Sequence, residues 1–237
     1  SEIESEVLKV LKGGQYIGGN EITKFEENFS KLIKVDNTIG CNSGTDALVL
    51  ALRALDIGEG DEVITSSFSF FATAEAISAV GANPILVDIE PDTYLINTEL
   101  IEKEINPNTK AIMPVHLFGN VVNMTLINSL ANKYGLKVIE DCAQATCSMW
   151  DNSRVGSIGD IGCFSFFPTK VMTTGEGGLI NLKRKKDFLK ARSLKNFGRN
   201  LKDEWIREYN GSNCKVTEFQ SILGLLELKR FNQRIYK

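Results

Sequence analysis

The sequence predicts an α/β layer fold around a mostly parallel sheet. Three observations carry this. Short apolar runs of strand length recur along the chain, longer helical patterns lie between them, and the two alternate strand, helix, strand. The first run is Glu62-Val63-Ile64, preceded by a helical pattern at 45–55 that opens on the small residues Ser43-Gly44-Thr45. The run Pro84-Ile85-Leu86-Val87-Asp88 follows a helix candidate at 72–80, and Ala111-Ile112-Met113-Pro114-Val115 follows one at 98–104. A helical pattern at 123–134 leads to Lys137-Val138-Ile139-Glu140-Asp141. Two further runs, at 162–167 and 178–182, precede a helix candidate at 185–195. The last stretch, 217–236, places Phe219, Ile222, Leu223, Leu225, Leu226, Leu228 and Phe231 on a helical stripe. In such sheets ligands bind at the carboxyl ends of the strands, so the residues just after each run are where chemistry is expected.

Composition narrows the class. At 237 residues with 43% hydrophobic and 24% charged residues, the chain is long enough for a substantial core and too apolar for a disordered one. Lys and Arg number 27 against 30 Asp and Glu, a net charge of -3, which excludes a generally basic nucleic-acid binder. No apolar run reaches the ~20 residues of a membrane helix. The charged start lacks the apolar core of a secretory signal. Five cysteines, at 41, 142, 147, 163 and 214, are an odd number and read as reduced thiols of a cytoplasmic protein rather than a disulfide framework. A single histidine, His116, excludes a His-rich metal site, and no metal is expected. The first residue is Ser, and the final stripe runs on without a C-cap signal, so the chain reads as a fragment.

Several residues at strand ends could carry chemistry, each with a plainer alternative. Lys170 follows the apolar run Phe166-Phe167-Pro168-Thr169. Desolvated there, it would be a nucleophilic amine for Schiff-base chemistry; otherwise it is a solvated surface lysine. Asp141 ends its strand and could hold a positive charge, such as a protonated pyridine nitrogen, or cap a helix. Gln144 could complete a capping box or bond a ligand oxygen. The Ser43-Gly44-Thr45 helix start could bind a phosphate through its backbone N–H groups, or be an ordinary cap. Ser165 either faces the same pocket as Lys170 or points out from its strand. Of Phe68, Phe70 and Phe71, one could stack on a flat ring, and otherwise the three pack in the core. Together these are an amine, a carboxylate, a phosphate-binding helix start and an aromatic lid.

With these residues in place, the sequence resembles the DegT/StrS family of pyridoxal-phosphate-dependent sugar aminotransferases. The matching segments run in family order: Gly18-Gly19-Asn20 with Phe25-Glu26, Asn42 to Leu48, Gly58 to Ile64, Phe70-Phe71-Ala72-Thr73-Ala74, Pro114 to Gly119, Glu140 to Ala145, and Gly156 through Lys170 to Gly178. The resemblance implies a three-layer α/β/α transferase fold (fold type I). Residues 1–237 would form its large cofactor-binding domain, with 217–237 a helix leading to a small C-terminal domain that this chain lacks. It implies that Lys170 bonds the aldehyde of pyridoxal 5'-phosphate and later shuttles a proton. Asp141 keeps the pyridine nitrogen protonated, and Gln144 lies near the ring oxygen. Ser165 and the Gly44 and Thr45 amides bind the phosphate. Phe70, rather than Phe68, stacks on the ring, and His116 makes a structural hydrogen bond. Asn213 reaches the phosphate of a partner subunit, which requires a homodimer. After Asn213 the family usually has an aromatic residue and Arg, where this chain has Cys214 and Lys215. The implied reaction moves an amino group from glutamate or glutamine to the keto group of a nucleotide-linked sugar, with neither nucleic acid nor membrane as partner. A dehydratase branch of the family carries His where Lys170 stands, so lysine favours transamination. A cyclitol or aromatic-precursor ketone as substrate, or a non-catalytic regulatory relative, are the other readings.

Overall fold

The computed structural model of the protein describes residues 2–235. Helices α1 (Glu2–Gly13) and α2 (Asn20–Ile33) come first, then strand β1 (Thr38–Cys41) and helix α3 (Gly44–Ala54). Next are β2 (Glu62–Ser66), α4 (Ala72–Ala79), β3 (Asn83–Val87), α5 (Thr98–Glu104), β4 (Thr109–Met113), α6 (Met124–Tyr134) and β5 (Lys137–Asp141). A short hairpin of β6 (Met149–Trp150) and β7 (Ser153–Arg154) precedes β8 (Ile161–Ser165), β9 (Gly178–Leu182), α7 (Lys185–Leu194) and α8 (Glu218–Ile235). The expected stripe over 217–236 is thus a helix through Ile235; positions 236 and 237 lie outside the described residues.

Seven strands form one sheet in the order β1-β9-β8-β5-β4-β2-β3. Strands β3, β2, β4, β5 and β8 pair in parallel, and β9 runs antiparallel to both of its neighbours, β8 and β1. Successive residues of a strand face opposite sides of a sheet. Val63, Ala111, Met113 and Ile139 therefore join α3, α4 and α7 in one core, while Ile64, Ile112 and Val138 join α5 and α6 in another. Helices on both faces leave β5 and β8 buried almost throughout, as parallel sheets require. This is the expected α/β/α sandwich.

The third core lies under α2 and α8. Ile22, Phe25, Phe29 and Ile33 sit at i, i+3, i+7 and i+11 of α2 and are buried. Phe25 and Phe29 meet Phe164 and Phe166 edge to face, with ring centroids 5.0–5.7 Å apart. Phe166 belongs to the expected strand run 162–167, yet β8 ends at Ser165. Beyond it the Phe166 N–H donates to Gly177 and its carbonyl accepts from Thr174, turning the chain toward Lys170. Helices α1 and α2 and strand β1 were not among the elements expected from the sequence. The register of β1 comes from β9, about 140 residues away, where Thr38 pairs with Asn181 and Cys41 with Gly178.

Candidate active site

A cavity of about 410 Å³ opens at the carboxyl ends of β5 and β8, beside the first turns of α3 and α4. Seven residues singled out from the sequence line it: Gly44, Thr45, Phe70, Asp141, Gln144, Ser165 and Lys170. Asn213 does not; it is exposed, and its backbone bridges to Asn196 just after α7. Phe68 is also outside the lining and packs against the Tyr94 ring. A larger open groove, about 610 Å³, lies between α3, α4 and α7, but its charges are already matched. Lys190 pairs with Asp56 there, and Arg53 donates to the Asn210 carbonyl.

One end of the cavity, between the start of α3 and the end of β8, is built by close approach. Ser43 caps α3 by accepting the Asp46 N–H at 3.0 Å, and its carbonyl accepts the Ala47 N–H. Among the described residues, this leaves the Gly44 and Thr45 amides unpartnered at the helix start, where the helix dipole favours an anion. A Cβ on Gly44 would stand 2.6 Å from Ser165 Cβ and 2.9 Å from its hydroxyl, so glycine lets the helix start and β8 share one small cradle. The donor set there, two amides and the Ser165 hydroxyl, suits a phosphate.

The other end holds Asp141, Gln144 and Lys170. Asp141 is 4% exposed. Its Oδ1 accepts the Ala143 N–H at 3.1 Å, and its Oδ2 accepts the Thr73 hydroxyl at 2.9 Å. Burial pushes its pKa above the usual carboxylate value; these two hydrogen bonds, and then the nearby His116 ring and the Lys170 charge, oppose the rise. Gln144 Oε1 accepts the Phe118 backbone N–H at 2.8 Å, which leaves its Nε2 to donate. Phe70 is 70% exposed on the cavity wall; Phe71 and Phe118, outside the lining, are 73% and 72% exposed.

Behind Asp141 lies a buried pair that the sequence reading placed only in part. His116 is fully buried; its Nδ1 accepts the Val122 N–H at 3.3 Å, so its ring proton lies on Nε2, 3.2 Å from Glu140 Oε2. Glu140 also accepts the backbone N–H groups of Gly156, Ile158 and Gly159 at 2.7–2.8 Å. His116, Glu140 and Cys142 offer metal-ligand atoms within 4.8 Å of one another, but the histidine and glutamate are committed to these protein partners. The backbone ties the pair to the site, since the His116 N–H donates to the Asp141 carbonyl. Sequence reading missed Glu140, and it missed Thr73, which lines the cavity and bonds Asp141. Their signal was weak: an acid beside another acid, and one threonine in a short helix.

Residues 1–237 match the family model described as the DegT/DnrJ/EryC1/StrS aminotransferase family. The chain belongs to this family. Among curated proteins, it is 44% identical over 226 residues to a UDP-N-acetyl-3-dehydro-alpha-D-glucosamine 3-aminotransferase of Acidithiobacillus ferrooxidans, covering 94% of this chain. Among solved structures, DesV of S. venezuelae, in complex with a ketimine intermediate, superposes with a TM-score of 0.94 at 35% identity, covering 98% of this chain and 62% of that one. NtdA of Bacillus subtilis, with bound cofactor PMP, gives a TM-score of 0.92 at 36% identity, covering 96% of this chain and 52% of that one. The chain spans 60% of the length of the Acidithiobacillus relative. The DegT/DnrJ/EryC1/StrS fold is the three-layer arrangement described above. No helix among the described residues is long and apolar enough to cross a membrane.

Proposed function

We propose that the protein binds pyridoxal 5'-phosphate in this cavity and serves a transaminase that passes an amino group from glutamate or glutamine to a keto group of a nucleotide-linked sugar. The observation that carries the reading is the convergence of Lys170, Asp141 and Gln144 with the Gly44–Ser165 cradle in one cavity. When bound, the cofactor supplies an aldehyde that carries the amino group and a ring that takes up electrons. The chain's own residues do the rest. The α3 amides and Ser165 hold the phosphate. Asp141 would hold a proton on the ring nitrogen, and Gln144 Nε2 would be the donor toward the ring oxygen. Lys170 Nζ would be the amine that holds the aldehyde end of the cofactor and, when free, the base that would carry a proton during transfer. Phe70 covers the ring.

The sugar and its nucleotide come from likeness to relatives such as the Acidithiobacillus enzyme. Lysine at position 170, where the dehydratase branch carries histidine, favours transfer over deoxygenation. A homodimer is part of the proposal. The side chain of exposed Asn213 is open to a second copy, and the exposed rings of Phe70, Phe71 and Phe118 suit covered surfaces. The test is the absorption spectrum with added pyridoxal phosphate, then with glutamate. A visible band that moves to the near ultraviolet is expected; no band refutes the cofactor reading, and a band unmoved by glutamate or glutamine refutes the donor.

A further inference from the structure

Asp141 enters the cavity with both oxygens already engaged, Oδ1 by the Ala143 N–H and Oδ2 by the Thr73 hydroxyl. Thr73 is 2% exposed in the first turn of α4. The Ser69 hydroxyl lies 2.8 Å from Thr73 Oγ1. A hydroxyl has one proton to give. Thr73 gives its proton to Asp141, so Ser69 is the donor in the second contact. The result is a one-way chain from Ser69 through Thr73 to Asp141. It fits an ionised Asp141, because a carboxylate accepts only, whereas a protonated one presents a donor of its own.

We propose that Thr73, oriented by Ser69, is a positioning residue that keeps Asp141 ionised and fixed for the cationic ring nitrogen of the cofactor. This rests on the reading of the cavity as a pyridoxal phosphate site. The physical need is clear from the surroundings. Burial is the largest influence on Asp141 and favours its neutral form. The ionisable groups around it are His116 after β4, Lys170 after β8, Cys142 after β5 and Cys163 within β8, with Glu140 beside it in β5 and Glu176 on the cavity wall. Burial holds both thiols neutral. The carboxylate is therefore maintained by two hydrogen bonds and the nearby Lys170 cation. The Ala143 bond comes from backbone that any sequence supplies, whereas the Thr73 bond depends on this side chain.

The test uses pyridoxamine phosphate, which carries an amine in place of the aldehyde and so binds without a bond to Lys170. Its affinity is measured across pH for the wild type, Thr73→Val, Thr73→Ser and Ser69→Ala, with thermal unfolding as a check on folding. The phosphate of the probe titrates alike in all four, so the differences between proteins are what is read. Valine keeps the shape of threonine and lacks the hydroxyl. It is expected to weaken binding about tenfold or more, the effect of losing a hydrogen bond to a charged group. It should also move the acid-side loss of binding to higher pH, because Asp141 then takes up its proton earlier. Serine keeps the hydroxyl and should restore both. Ser69→Ala should show the same two changes in smaller measure. A packing role predicts the reverse order, with serine worse than valine, and that order overturns the proposal. So does a Thr73→Val protein with wild-type affinity and acid limb. If Thr73→Val does not fold, an unchanged acid limb in Ser69→Ala overturns it. A wild type that binds neither pyridoxamine phosphate nor pyridoxal phosphate refutes the cofactor reading itself, and the proposal falls with it.

Discussion

Glu140→Gln removes one charge and keeps the shape of the side chain, and the structure says what that does. Glu140 Oε1 accepts the N–H groups of Ile158 at 2.8 Å and Gly159 at 2.7 Å. Its Oε2 accepts the Gly156 N–H at 2.8 Å and faces His116 Nε2 at 3.2 Å. All are donors, whereas glutamine offers one oxygen and one NH2. Either way round, the NH2 meets two donors. His116 cannot relieve this by moving its proton, because its Nδ1 already accepts the Val122 N–H. Two bonds to a buried charge are lost, at ~1.5–3 kcal/mol each. After allowance for no longer burying the charge, the net loss is about 3–5 kcal/mol. For a chain of this size each kcal/mol lowers the unfolding midpoint by roughly 2–4 °C, so a fall of about 6–20 °C is expected. Circular dichroism melts of the two cofactor-free proteins measure it. A loss below ~1 kcal/mol would refute the reasoning, since it would mean that the loop at 156–159 finds other acceptors.

Lys170→Ala should abolish the visible band formed with pyridoxal phosphate while leaving the melting curve unchanged; a persistent band would assign the covalent link elsewhere. Asp141→Asn should lose most transfer activity, because a neutral partner no longer favours the protonated ring. In the cofactor-free protein it should be stabilising near neutral pH. A buried acid with a raised pKa binds its proton more tightly when folded, so wild-type stability falls as pH climbs through the range above 3.8. The advantage of asparagine should therefore disappear in acid, and melts at both pH values test this. Gly44→Ala should cost ~1–3 kcal/mol and weaken pyridoxal phosphate binding, as the new methyl forces α3 from β8; unchanged affinity in a binding titration would show that the helix start can yield.

The legible parts of the molecule were local. Runs such as Val138-Ile139 and Ala111-Ile112-Met113 are apolar because both faces of the sheet are covered, and that signal lies within five residues. That Gly44 and the lysine after β8 line one cavity was readable because ligand clefts at strand ends follow from the fold class. What stayed hidden depends on distant partners. Strand β1 is four residues long and owes its register to β9. Helix α2 has its first turn held by Glu218 of α8, which accepts the Gly19 and Glu21 N–H groups at 2.8 and 2.9 Å. Thr73 matters only because α4 sets its hydroxyl against the end of β5, which no spacing along the chain reveals.

All five cysteines are free and buried, Cys41, Cys163 and Cys214 in the core under α3 and Cys142 and Cys147 in the aromatic core under α2. Burial raises every one of these thiols, Cys147 and Cys214 to about 11. A reagent that attacks thiolates finds none within reach while the fold is closed. Each sulfur thus serves as a stopwatch started by local opening, and the five labelling rates would chart which part of the molecule breathes first.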